Sequence, residues 1–380
     1  TRPWVFVKCH PFSILPRFKS FVHDVEELRH TRDTMAQVRY AISGSPVTHS
    51  LSPLLHGLVL ANLEKFGDDV ELKSKKSSVH LVDTRAIEDA LGWGYAGHAP
   101  DAPDWEYTGA PFGKFRTDAL LKKAIDAAMA IEDAELRLVS TSDSNPVEPL
   151  TSENRYLEEA ARRHLPTQCL ENEVWMNLTS PLKHQLASDA ISTIDDSMRL
   201  QSVNTLRWDG QAWWCASVDG SGVVALALHH GVDIQSGAIL GIVGGGGAAR
   251  STVDAWIKAG GKISALPGRR PLELPYKFES QPSIGTVDFS VNFEGSDSDD
   301  SQFPKSRLRL NPTYGLQSGD LEARFSALMT QPLDGRWMLA AQHLEAWKRL
   351  WTPQYANFLP SLELLLTQLV HAENLLAKYA

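Results

Sequence analysis

Lys183 is the most conspicuous candidate for acid–base chemistry in this chain. In "NLTSPLKH" (177–184), Ser180 and Pro181 read as a helix start, with serine as N-cap and proline at the first helical position. Lys183 then falls in the first turn, where the helix dipole is positive and a cation is disfavoured. An ammonium placed there gives up its proton more readily than a free lysine, as a proton carrier must. The stretch "SPLLH" (52–56) has nearly the same local pattern but carries Leu55 at the equivalent place. Ser50 and Ser52 stand at the start of that second helix, and serine hydroxyls at a helix N-terminus form a natural carboxylate site.

A second group lies in "QSVNTLRWDGQAWWCASV" (201–218). Asp209-Gly210 between two strand-like runs marks a two-residue hairpin turn. That register opposes Trp208 to Gln211, Asn204 to Cys215 and Ser202 to Ser217. Side chains alternate along a strand, so Ser202, Asn204, Ser217 and, one step on, Asp219 share a face. A face this polar is either solvated or part of a site.

The third group is a phosphate-binding pattern. In "GAILGIVGGGGAARSTVDAWIKAGGKISAL" (237–266) an apolar run ends in Gly244, Gly245, Gly246 and Gly247, followed by Ala248, Ala249 and an amphipathic helix. Gly244, Gly246 and Ala249 fit G-x-G-x-x-G/A between a strand and a helix, where a pyrophosphate approaches the backbone and the helix N-terminus. The second strand of the unit ends in "LPGRR". Arg269 and Arg270 suit a ribose 2′-phosphate and cannot accept a hydrogen bond from a 2′-hydroxyl, so NADP is the expected cofactor.

The elements that must position these groups are legible in outline. Residues 1–36 read as an extension of uncertain structure. A strand at 38–43 leads into an amphipathic helix at 53–67, and a second strand follows at 78–83. Residues 90–110, rich in Gly, Pro and aromatics, read as loop. Helices are expected over 116–136 and 152–165, and a strand over 172–178. The βαβ unit at 237–266 implies a parallel sheet, with a further strand at 286–293. Helical stretches close the chain at about 335–350 and 360–379. The "EGSDSDD" run (294–300) lacks the glycine and closing glutamate of a calcium loop and reads as a solvated acidic loop.

Composition bounds the function. The net charge of -9 argues against nucleic-acid or anionic-membrane partners, and no apolar run approaches a membrane span. The first 18 residues lack a secretory apolar region. Cys9, Cys169 and Cys215 are odd in number and form no CxxC, which favours reduced thiols and a cytoplasmic location. His49, His56, His229 and His230 have no Cys or carboxylate at ligand spacing, so no metal site is expected. Trp208, Trp213 and Trp214 read as packing residues.

These pieces, in order, resemble the shikimate dehydrogenases. "GSPVTHSLSPLLH" (44–56) is similar to that family's G-x-P-x-x-H-S-x-S-P-x-x-H, and "NLTSPLKH" to its N-V-T-x-P-x-K. "SVNTL" resembles A-x-N-T, "VDGSG" resembles T-D-G-x-G, and "VGGGGAAR" resembles I-G-A-G-G-A-S/A-R. "LDGRWMLAAQ" (333–342) is similar to D-G-x-x-M-L-x-x-Q. The resemblance implies an α/β protein of two domains, with an N-terminal α/β substrate domain, a Rossmann-like NADP-binding domain, and a C-terminal helix returning to the substrate domain. The corresponding boundaries are an extension at 1–36, a substrate domain at 37–225 with a long insertion at 84–170, a cofactor domain at 226–350 and the closing helix at 351–380. It implies reversible reduction of 3-dehydroshikimate to shikimate with NADPH, in aromatic amino-acid biosynthesis. Lys183 and Asp219 would be catalytic. Ser50 and Ser52 would hold the substrate carboxylate, and Asn177, Thr179, Asn204, Gln342 and Tyr314 would complete the substrate shell. Gly335 would join Gly244–Ala249, Arg269 and Arg270 around the cofactor. Lys183 becomes the proton carrier, positioned by Asp219.

The chain departs from the family pattern at Ser217-Val218, where Asn-Thr is usual, at Ser202, where alanine is usual, and at "PGRR", which lacks an asparagine before its arginine. Two other readings stay open: a non-catalytic regulator that binds shikimate-type ligands, and a quinate/shikimate dehydrogenase. The expected partner is a small-molecule substrate, with a monomer or homodimer as the assembly.

Overall fold

The computed structural model describes residues 37–66, 76–96, 117–132, 138, 155–167, 172–282, 285–295, 304–315 and 317–379. The expectations for 1–36, the whole of the 97–116 and 139–154 stretches, the acidic run beyond 295, Cys9 and Cys169 lie outside these residues. Cys215 is a buried free thiol.

Two sheets organise the chain. The first has six strands in the order β2-β1-β3-β5-β6-β4: β1 (Gln37–Gly44), β2 (Lys76–Asp83), β3 (Glu173–Leu178), β4 (Ile191–Thr193), β5 (Thr205–Trp208) and β6 (Trp213–Ala216). β1 pairs in parallel with β2 and β3, and the β5–β6 hairpin adds antiparallel to β3. The second sheet is wholly parallel, in the order β10-β9-β7-β8, from β7 (Ile239–Val243), β8 (Lys262–Leu266), β9 (Val287–Asn292) and β10 (Ser306–Leu310). The fold is therefore mixed α/β in two units, with a Rossmann-like parallel sheet in the second. Among the described residues no helix is long and apolar enough to cross a membrane.

Helices cover these sheets. α1 (Ser52–Glu64) buries Leu54, Leu55, Leu58, Val59 and Leu63 but also Ser52, His56 and Asn62. It is thus enclosed nearly all round rather than amphipathic, because the closing helix α9 (Leu362–Leu376) packs across it and Gln368 bonds Asn62 at 2.7 Å. α2 (Ile87–Ala96) corrects the loop expected from residue 90 onward. Its Gly94 is a contact residue: a Cβ there would lie 2.6 Å from the Trp213 ring, and Arg39 donates to the Gly94 carbonyl at 2.6 Å. α3 (Thr117–Ala128) and α4 (Arg155–Arg163) end earlier than expected, at 128 rather than 136 and at 163 rather than 165. α5 (Asp219–His229), α6 (Gly247–Lys258), α7 (Leu321–Met329) and α8 (Gly335–Ala346) complete the set. α8 runs on into a π turn at Trp347–Trp351.

The junction of α8 with the first sheet is a buried aromatic box. Tyr40 stacks on His56 with centroids 3.9 Å apart, Trp175 stacks on Trp351 at 5.7 Å, and His343 abuts Tyr40 and Trp351. Burial pushes the His343 imidazole down to about 3, from an ordinary value of 6.5. Between those two values the unfolded chain binds the proton and the folded chain refuses it. Stability is therefore untouched above about pH 6.5 and is lost as pH falls. The loss from this residue reaches about 2 kcal/mol at pH 5. The expected result is a wild-type melting temperature that drops between pH 7 and 5, and a shallower drop in His343→Leu. Parallel curves for the two proteins would refute this account.

Candidate functional site

The ends of β1 and β3 lie side by side and are joined by backbone hydrogen bonds. β1 ends at Gly44, whose φ of +149° is open to glycine, and a Cβ there would lie 2.3 Å from Thr179 Cγ2. This close approach lets Thr179 N–H donate to Ser43 O at 2.8 Å and Ser45 N–H to Ser180 O at 2.9 Å, which locks the "GSP" and "TSP" turns together. The segment after them does not form the expected α-helix. Only Leu182–His184 make a 3₁₀ turn, and it has no side-chain cap. Gln185 ends it by donating to the Pro181 carbonyl at 3.2 Å and to the Arg85 carbonyl at 2.9 Å, tying the chain to the β2–α2 connection. A single turn aligns too few peptide dipoles to act on Lys183 as a helix N-terminus would.

What the ammonium meets instead is a carboxylate. Lys183 Nζ donates to Asp219 Oδ2 at 2.8 Å and Oδ1 at 3.0 Å. The lysine side chain is 25% exposed and the aspartate 2%. Gln342 Nε2 donates to the same Oδ1 at 2.9 Å. The glycine of "VDGSG" explains how Gln342 arrives. A Cβ at Gly222 would lie 2.7 Å from Gln342 Cγ, so only glycine lets α5 and α8 close to this distance. Gly220 does the same against α6, where a Cβ would meet the Ser251 carbonyl.

The polar hairpin face is buried, not solvated: Ser202, Asn204, Ser217 and Asp219 are all at most 5% exposed. The register differs from the expected one by two residues. Trp208 opposes Trp213, Leu206 opposes Cys215, and Asp209 N–H bonds Ala212 O, which centres the turn on Gly210-Gln211. The cause is Asp209, whose Oδ1 accepts from Gln211 N–H at 2.8 Å and Ala212 N–H at 2.7 Å while Oδ2 takes the Trp214 indole. A slip of two keeps every side chain on its face, so the grouping of Asn204 with Asp219 stands.

Hydrogen bonds connect the remaining candidates. At the head of α1, Ser50 Oγ accepts from Ser52 N–H at 3.2 Å, and the Tyr314 hydroxyl accepts from Leu51 N–H at 3.4 Å. Burial raises the Tyr314 phenol, against the opposing effect of Leu51 N–H and Ser50. Tyr40 donates to Asn177 Oδ1 at 2.7 Å, and Asn177 Nδ2 reaches Thr205 Oγ1 at 3.5 Å. Thr205 donates to Asn204 Oδ1 at 3.1 Å, which also accepts Val218 N–H at 2.8 Å, one residue before Asp219. Asn204 thus clamps backbone beside the acid. Tyr40 and Thr205 did not stand out in the sequence; Thr205 could have been found as the threonine of "SVNTL".

The glycine crest lies on the second sheet. Gly244 has a φ of +123°, and Gly246 is the extended N-cap of α6 with open space around its Cα. The first-turn N–H groups of α6 and this open position fit a pyrophosphate. Arg250, also missed by sequence reading, braces the crest by donating to the carbonyls of Leu200 at 2.6 Å, Gln201 at 2.8 Å and Gly245 at 3.3 Å. Arg269 and Arg270 are exposed on the loop after β8, and a Cβ at Gly245 would meet the Pro271 and Arg270 carbonyls. Gly335 is buried at the start of α8 against the Thr313 carbonyl. A cavity of about 890 Å³ lies elsewhere, walled by Ser221, Leu228, Lys258, Leu344 and Arg349 among others, and neither Lys183 nor Asp219 lines it. Among the described residues no cluster of His, Cys, Asp or Glu is arranged to hold a metal ion.

Comparison with known proteins adds the following. No protein-family model matches the chain. It is 34% identical over 96 residues to the shikimate dehydrogenase (NADP(+)) of Methylibium petroleiphilum, 25% of this chain and 32% of that protein. It is 28% identical over 195 residues to the shikimate dehydrogenase (NADP(+)) of Halobacterium salinarum, 47% of this chain and 72% of that protein. The first two curated relatives are matched over only 32% and 35% of their length, about a third. Among solved structures, shikimate 5-dehydrogenase from Thermus thermophilus in complex with shikimate aligns with a TM-score of 0.49 and 19% identity, over 89% of this chain and 99% of that one. By sequence, then, the chain is similar over part of its length to curated shikimate dehydrogenases, at 28% to 34% identity.

Proposed function

We propose that the chain is an NADP-dependent shikimate dehydrogenase that interconverts 3-dehydroshikimate and shikimate. The observation that carries this reading is the Lys183–Asp219 pair, held by Gln342 beside a row of serine, tyrosine and asparagine groups at the head of α1 and the end of β3. In this reading residues 37–225 bind substrate, 226–350 bind the nucleotide, and the helix in 351–380 returns to the first unit.

A nicotinamide cofactor held by the Gly244–Ala249 crest and the Arg269-Arg270 loop would supply hydride chemistry. The chain's own residues do the rest. Ser50 and Ser52 hold the substrate carboxylate, Asn177 and Thr179 bind hydroxyls, and Tyr314 closes the carboxylate end. Lys183 holds the proton at Nζ and delivers it to the oxygen of the carbonyl being reduced; in the reverse direction it takes that proton back. Asp219 fixes the direction of Nζ through two hydrogen bonds, and Gln342 fixes Asp219.

The test is absorbance at 340 nm with purified protein, shikimate and NADP, run beside quinate and NAD. A rise with shikimate and NADP is expected. Absence of turnover together with thermal stabilisation by shikimate would replace this reading with the regulatory one, and faster turnover of quinate would move the assignment to a quinate/shikimate dehydrogenase.

A further inference from the structure

Glu294 follows β9 and reaches across the glycine crest to the arginine loop. Its Oε1 accepts from Arg269 N–H at 2.6 Å and from Arg270 N–H at 3.4 Å. Its Oε2 lies 3.5 Å from Arg269 Nε, and its backbone carbonyl accepts from Arg269 Nη2 at 2.9 Å. The glutamate side chain is 11% exposed and the arginine 75%, so the acid is the anchored partner. Asn292 Oδ1 takes Glu294 N–H at 2.9 Å and holds the backbone. Glycine at 268 is what admits the carboxylate: a Cβ there would lie 2.6 Å from Oε1.

We propose that Glu294 sets the choice between a free and a phosphorylated ribose 2′ position at the nucleotide site. The proposal rests on the reading of the crest and the arginine loop as that site. The carboxylate already sits on the backbone N–H groups of the two residues expected to grip a 2′-phosphate, and it offsets one of their two positive charges. A phosphate arriving there meets a like charge. A 2′-hydroxyl, in contrast, finds the acceptor that the arginines cannot provide. The acidic residue usual at the end of the second strand of such folds is thus supplied here from the end of β9, and it weakens the preference for NADP that Arg269 and Arg270 alone would impose.

Calorimetric binding of 2′-phospho-AMP and of 5′-AMP to the full chain tests this without turnover. Glu294→Gln keeps an acceptor for Arg269 N–H and removes the charge. It should bind 2′-phospho-AMP about tenfold or more tightly than wild type, with 5′-AMP changed less than about threefold. Glu294→Asp keeps the charge and should leave the ratio of the two affinities within about threefold of wild type. Melting temperatures establish that each variant is folded. Equal shifts for both nucleotides, or no gain for 2′-phospho-AMP in Glu294→Gln, overturn the role of Glu294. If no form of the protein binds either nucleotide, the site reading itself falls and takes the proposal with it.

Discussion

Under the proposed activity, replacing Lys183 with methionine should lower kcat for shikimate oxidation by about 10²–10⁴-fold in a protein that a thermal melt shows to be still folded. Methionine retains the volume of the stem but has no proton to give or take. The ammonium is partly exposed, so its loss costs little packing. Asp219→Asn should cost a comparable factor, because an amide at the Asp219 position no longer pairs both oxygens with Nζ and presents a second donor to Gln342. The double variant should be little worse than either single one, as expected of groups that act as a unit. Steady-state rates at 340 nm and a thermal melt decide the matter. A Lys183→Met protein whose kcat stays within threefold of wild type would remove the lysine from the chemistry.

Arg207→Met should destabilise the fold by about 3–5 kcal/mol, enough to leave much of the protein insoluble. Arg207 and Glu173 are completely buried in the first sheet, on the facing strands β5 and β3. The guanidinium donates to Glu173 Oε1 at 2.9 Å and Oε2 at 3.1 Å, and its Nη1 satisfies the carbonyls of Pro166 and Leu350. Trp175 Nε1 completes the carboxylate at 2.6 Å. Removing the arginine strands an anion and two carbonyls away from water, whereas Glu173→Met with Arg207→Met removes both charges together. The paired variant should recover most of the loss. Urea unfolding midpoints of the single and paired variants measure this; a single variant within about 1 kcal/mol of wild type contradicts it. The pair also ties the hairpin that carries Asn204 to the π turn after α8, so the site and this core share one support.

Local patterns in the chain were enough to single out most of the candidate groups that the structure brings together, because each is announced by neighbours. Gly244 and Gly246 sit between an apolar run and a periodic helix, and both the turn and the helix N-terminus follow from that. The alternation of β5 and β6 was enough to place Asn204 and Asp219 together, even though the turn was centred one residue early at Asp209. An error of two in register preserves faces; an error of one would have dissolved the site. The expected helix at Pro181 failed for a reason no neighbour announces. Its continuation was prevented by Gln185, whose partners on Arg85 and Ile87 lie about a hundred residues away. Residues 90–96 read as loop from their glycines, yet form α2 because Trp93 and Ala90 are buried in the first core.

The order of residues along the chain determined which side chains could do chemistry, which strands and turns would carry them, and that a parallel βαβ unit follows a separate first sheet. These depend on contacts a few residues apart, where spacing and residue type suffice. Tertiary structure decided that a single 3₁₀ turn gives Lys183 no helix dipole, so that the Asp219 contact implied by the resemblance is what holds it, that Gln342 reaches Asp219 through the gap left by Gly222, and that Glu294 rests on the arginine loop. Those outcomes depend on which distant surfaces pack together, and packing is settled by the summed burial of the whole core rather than by any local pattern.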